Sequence, residues 1–312
     1  MISFRYHLVT IVAVFLALGL GLLGGTTVVD EGLVQRLKDQ TSSANQRAEQ
    51  LQSSNDELTS SLGRSTQFAS DVVPGMEQGR LAGENVILIT TTDTDVAVIK
   101  QTEQALKDAG AQVVTVLSVT PRMTSPDPAA RQQLAEILGV DASTPGGTMS
   151  KEAATRLATR LATGSTAETD KPPGDVLLQL LDGGFLVSDP TIKVADLPTV
   201  GGDGQVIVLV AGGQNAPAVP PDDFMIPVAQ GLVKQNATVA AGETAASSYD
   251  FVGPLRDDGT ADGKTMVTVD NADEPVGGLA MVLGLRDLLL SGQGGNFGFK
   301  RGAGDLYPPL SG

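Results

Sequence analysis

The feature that most constrains this chain is an uncharged run of 22 residues, 8–29, close to its N-terminus. At ~1.5 Å per residue a helix of that length spans roughly 33 Å, about the hydrocarbon thickness of a bilayer. Arg5 and the amino terminus precede the run, and Asp30 and Glu31 follow it. The positive-inside rule then puts residues 1–7 in the cytoplasm and the rest of the chain outside it. The competing reading is a cleaved secretory signal, whose apolar region is usually ~7–15 residues and closes on an A-x-A-like site. This run is longer and ends Leu23-Gly24-Gly25-Thr26, with no such site. The expectation is therefore a single membrane-spanning helix over 8–29. Ala13, Ala17, Gly21 and Gly25 recur every four residues along it. A stripe of this kind lets two helices approach closely in lipid, although small residues are common in membrane helices for other reasons. Gly19, Gly21 and Gly24 match the spacing of a dinucleotide fingerprint, but that motif needs a strand before it and a βαβ unit in water.

Beyond the run, residues 31–70 are polar with periodic apolar positions. Leu37, Ala44, Leu51 and Leu58 are seven apart and take the d position of a heptad. Val34, Thr41, Ala48, Asn55, Leu62 and Ala69 then fall at a, a seam of about five repeats. Asn55 lies between Leu51 and Leu58, where a buried Asn fixes register and favours a parallel dimer at some cost in stability. The Ala and Thr positions make a weak coil, which tethering in a membrane would strengthen by raising local concentration. The alternative is a single amphipathic helix lying along its own domain. Gly63 and then Pro74, Gly75, Gly79 and Gly83 predict the end of the helix and a linker over 71–84.

The remainder alternates apolar runs with helical patterns. The segment 85–92 (NVILITTT) reads as a buried strand, 96–109 as a helix ended by Gly110, and 112–119 (QVVTVLSV) as a second strand. That is a βαβ unit with a parallel pair. Helices are expected over 127–138, 150–162, 175–181, 221–234 and 275–290. Further strands are expected over 205–210 (QVIVLV), 237–241 and 266–269. The sum is an α/β domain over 85–292 with a mostly parallel, Rossmann-like sheet. A Gly-rich tail over 293–312 is expected to be irregular. Aromatic residues make up only 4% of the chain, so its core has to be built from Ala, Val, Leu and Ile.

Composition then limits the chemistry. A net charge of −15 repels phosphate backbones and argues against a nucleic-acid partner. The chain has no cysteine and a single histidine, His7, which precedes the apolar run. Everything after that run therefore lacks the side chains for a Ser-His-Asp triad, a Cys-His pair or an H-E-x-x-H zinc site. A pair of carboxylates remains formally possible. In open α/β sheets ligands sit at the carboxyl ends of strands. The candidates there are Asp93, Gly212 and Gly213, and Asp270 with Asn271, each of which also suits a turn or a helix cap. No catalytic residue, cofactor site or metal site is assigned. Met76, Met123, Met149, Met225, Met266 and Met281 are scattered along the sequence and form no thioether cluster of the kind copper prefers.

The opening Met1-Ile2-Ser3-Phe4-Arg5-Tyr6-His7, the run Val14-Phe15-Leu16-Ala17-Leu18-Gly19, and the coiled coil that follows resemble a family of actinobacterial envelope proteins. So do Val269-Asp270-Asn271, the apolar helix over 278–290 and the ending Gly294-Gly295-Asn296-Phe297-Gly298. This is the copper transporter MctB family, which includes the corynebacterial protein SteB, and the resemblance covers the whole chain in order. It implies two functions. One is copper efflux or tolerance with a proposed outer-membrane channel. The other is cell separation with a membrane partner, SteA, and control of peptidoglycan hydrolases. Copper association is implied by the resemblance alone. The residues favour a non-enzymatic scaffold pairing as a homodimer or hetero-oligomer through its coiled coil. A membrane barrel needs ~10-residue strands of alternating polarity, and those are not seen here.

Overall fold

The computed structural model describes residues 4–26, 31–164 and 174–309. Two compact units divide the chain, residues 1–65 and 66–312. In the first unit, α1 (Phe4–Thr26) is the one helix among the described residues that is long and apolar enough to cross a membrane. Residues 27–29, the expected end of the span, lie outside the described residues, as do Met1 to Ser3 of the opening motif.

The helix α2 (Glu31–Glu77) is 47 residues long and runs through both Gly63 and Pro74. This corrects the expected end near residue 70 and the linker that was to begin at 71. Tertiary packing supplies the reason. Val73 is buried against Leu279 and Leu283, with Ala69 and Met76 beside it, and such packing overrides a local breaker. Pro74 removes only its own amide, and the carbonyl left without it belongs to Ser70, which faces solvent.

The second unit is built on a seven-stranded sheet. The strands are β1 (Asn85–Thr91), β2 (Gln112–Val119), β3 (Leu186–Asp189), β4 (Gln205–Ala211), β5 (Thr238–Glu243), β6 (Val267–Val269) and β7 (Gly295–Phe297). Their spatial order is β3-β2-β1-β4-β5-β6-β7. Every pair is parallel except β2–β3. The connecting helices are α3 (Val96–Asp108), α4 (Pro128–Leu138), α5 (Gly146–Thr163), α6 (Val176–Asp182), α7 (Met225–Lys234), α8 (Val252–Asp257) and α9 (Pro275–Ser291).

Period-two alternation sends successive residues to opposite faces. Ile87, Ile89, Ile207, Leu209, Val239 and Ala241 join a core covered by α4 to α8. Val86, Leu88, Val206, Val208, Val210 and Ala240 join a core covered by α3 and α9. Burial on both faces is why the strand segments read as continuous apolar runs.

Three further details differ from the sequence-based expectation. The helix expected over 221–234 begins as a 3-10 turn, Pro221–Asp223, and becomes α-helical only at Met225. The tail is not wholly irregular, because β7 extends the sheet from within it. Finally, β3 and α8 carry no strong pattern of their own and are positioned by neighbours.

Candidate functional site

Two regions hold the residues singled out above, one on α1 and α2 and the other at the carboxyl edge of the sheet. On α1, Ala13, Ala17, Gly21 and Gly25 are all exposed, and nothing lies within 4 Å of where a Cβ would stand on either glycine. On α2, Ala44 and Asn55 are exposed. Leu37, Leu51, Leu58 and Leu62 are 54%, 71%, 69% and 68% exposed. These open leucines, with Asn55 and small residues between them, line one face of the helix as an apolar seam left in solvent.

At the sheet edge the strand order reverses between β1 and β4, the usual place for a ligand in a doubly wound sheet. The structure brings Asp93, Gly212 and Gly213 together there. The Asp95 amide donates to the Gly212 carbonyl at 3.0 Å. The Asp93 carboxylate accepts from the Ala218 amide at 2.6 Å and so ties down the loop after β4. Asp95 caps α3 by accepting from the Ala97 amide at 2.9 Å. Gly212 has φ +115, and a Cβ on it would meet Thr244 Oγ1 at 2.6 Å. Its amide donates to the Tyr249 hydroxyl at 2.9 Å. Burial pushes the Tyr249 hydroxyl above its ordinary range, the Gly212 amide opposes this, and the Asp93 and Glu243 charges add to it. The loops after β4 and β5 are then joined by Ser248 to Gly213 at 2.8 Å, Gln214 to Ala246 at 2.6 Å and Ser248 to Asn215 at 2.7 Å. Loop-to-loop bonds thus occupy the switch point. We expect Asp93→Ala to cost about 1–2 kcal/mol of stability by freeing the loop near Ala218, measurable by urea denaturation.

Asp270 and Asn271 lie elsewhere, after β6. Asp270 is fully buried. It accepts from Arg256 Nη1 at 2.7 Å, the Phe299 amide at 2.7 Å and the Lys300 amide at 3.0 Å. Arg256 in turn reaches Thr268 Oγ1 at 2.9 Å and the Phe297 carbonyl at 2.9 Å. Glu243, also buried, accepts from the amides of Phe251 and Val252 at 2.7 and 3.1 Å and from Lys300 Nζ at 2.5 Å. Asn271 donates to Glu274 at 3.1 Å at the start of α9. The carboxylates at this edge therefore clamp loops. Sequence reasoning missed Glu243, Arg256 and Lys300. Arg256 sits on the unrecognised α8, and Lys300 sits in the supposedly irregular tail.

Among the described residues no group of three or more His, Cys, Asp or Glu is placed to hold a metal ion. Met123, Met149, Met225, Met266 and Met281 are all core residues, each 2% exposed or less. Their thioethers are committed to packing.

Comparison with known proteins covers nearly the whole chain. Residues 1–308 match the family model described as copper transport outer membrane protein, MctB. Relatives named copper transporter MctB from Mycobacterium tuberculosis (strain ATCC 25618 / H37Rv) and Mycobacterium bovis are each 24% identical over 317 residues, covering 97% of this chain and 98% of the relative. The relative of that name from Mycobacterium leprae is 23% identical over 325 residues, covering 99% of this chain and 100% of its own length. With a family match of that extent, an apolar N-terminal helix and a mostly parallel α/β sheet, the chain belongs to the MctB family of copper transport outer membrane proteins.

Proposed function

We propose that this copper-related, membrane-anchored envelope protein works as a non-enzymatic scaffold. In this reading α1 is the anchor, residues 1–7 are cytoplasmic, α2 pairs with another chain, and the α/β unit binds other envelope proteins, including those of cell separation. The observation that carries the reading is the heptad stripe of α2, whose leucines are left open to solvent. Burying such a stripe between two helices is the ordinary way to remove it from water. The sheet edge supports the same reading, because Asp93, Glu243 and Asp270 each hold backbone amides in place.

The test is crosslinking in cells followed by pull-down, with and without copper stress, comparing the natural chain with Asn55→Lys. A lysine at the seam is expected to weaken self-association about tenfold or more and to reduce partner capture with it. Unchanged self-association and capture would sink the scaffold.

The family description favours a second reading, direct copper handling. It requires copper binding by the purified chain or copper flux through reconstituted vesicles. With five methionines in the core and no cysteine, the scaffold reading expects neither.

A further inference from the structure

We propose that two copies of this chain pair in parallel along α2 only from Val34 to about Ser65, and that α9 of each copy takes the partner's place on the seam beyond that point. The inference rests on the scaffold reading and adds where the pairing stops.

The charges along the seam suit a second copy as the occupant. Although the chain is acidic overall, Asp39, Glu49, Asp56 and Glu57 fall at f, b, b and c of the heptads between Val34 and Leu62. No acidic side chain falls at a, d, e or g over that stretch. The two basic residues flanking the seam are Lys38 at e and Arg47 at g. In a parallel, in-register pair the positions opposite them on the second copy are 33, a leucine, and 52, a glutamine. Neither is charged, so no like charges oppose one another. Asn55 meets its own counterpart only in that register, and a shift of one heptad would set it against Ala48 or Leu62.

The end of the pairing is set by α9. The heptads continue past Leu62 with Ser65 at d, Ala69 at a, Val72 at d, Val73 at e and Met76 at a. Ala69, Val73 and Met76 pack on Leu279 and Leu283 of the same chain's α9, and Val73 is buried. One row of a positions cannot serve two helices at once. Val72, although at d, is left 40% exposed. The polar Ser65 marks the exit, and from there each α2 belongs to its own sheet.

The absence of cysteine makes the test direct. Single cysteines are placed in the full-length chain in membranes at Leu37, Leu51 and Leu58, at the f position Gln46, and at Val72. Mild oxidation is followed by non-reducing electrophoresis. Facing d positions satisfy disulfide geometry, so Leu37→Cys, Leu51→Cys and Leu58→Cys should crosslink at least about tenfold more than Gln46→Cys or Val72→Cys. If Val72→Cys crosslinks as well as Leu58→Cys, pairing stands and the exit at Ser65 is wrong. If Gln46→Cys matches the d positions, the seam is wrong. If none crosslinks, the pairing fails, and the scaffold reading with it.

Discussion

Asp270→Ala destabilises the protein by about 3–5 kcal/mol, because it leaves the Arg256 guanidinium buried without its counterion. Arg256 Nη1 lies 2.7 Å from the carboxylate, and both side chains are almost wholly removed from solvent. The same carboxylate holds the amides of Phe299 and Lys300, so its loss also releases the chain end that completes the sheet. Far-UV circular dichroism of the full chain during heating should show Tm falling by roughly 10 °C. Gly298 sits in the same clamp with φ +120, and a Cβ there would run into the Asp270 carboxylate. Gly298→Ala is therefore expected to destabilise as well, and the double variant to cost less than the sum, since both changes break one contact. An unperturbed Tm in Asp270→Ala would show that this ion pair does not hold the sheet edge together.

The clamp also shows what was legible in the sequence. Residues buried on both faces declare themselves, so β1 and β4 stand out as apolar runs and α9 as an apolar helix. The anchor helix and the heptads are equally plain, because their signals are local and periodic. Roles at the sheet edge are not local. Asp93 looks like a turn residue, yet its partner is Ala218, 125 residues away. Glu243 looks like an unremarkable strand end, yet it is held by Lys300, 57 residues on. In β7, Gly295-Asn296-Phe297 has little strand propensity. It pairs because Asn296 is bonded to Thr268 at 2.7 Å and to Ala261 at 3.0 Å. The end of α2 misleads in the opposite direction. Pro74 and Gly75 signal a stop, yet packing on α9 carries the helix through both to Glu77, well past the expected end near residue 70.

That last turn of α2 leads to the second large effect. Glu77→Gln makes the protein more stable than the natural chain by on the order of 4 kcal/mol at pH 8, with almost no difference at or below pH 4.5. Glu77 is 1% exposed, and among the described residues its Oε1 finds no hydrogen-bond partner. A Cβ on Gly278 of α9 would stand 3.5 Å from that oxygen and 3.3 Å from Gln101 Nε2 of α3, which places the carboxyl where α2 meets both helices. Burial pushes it from an ordinary 4.5 up to about 8, and the Asp108 carboxylate at the end of α3 adds to the shift. The sign follows from proton counting. Between pH 4.5 and 8 the unfolded chain has released this proton and the folded chain keeps it. Stability is therefore fully present below 4.5, falls as pH rises through the window, and is lost above 8. Glutamine stays neutral throughout and removes this contribution. Every other carboxylate is present in both chains, so the difference between them reports on Glu77. Asp108→Asn should move the end of the fall to lower pH by removing one of its two causes. Urea denaturation followed by circular dichroism from pH 4.5 to 8.5 measures all three chains. If the natural chain and Glu77→Gln lose stability in parallel, the buried carboxyl is not the source, and the junction of α2 with α3 and α9 is not sensitive to its ionisation.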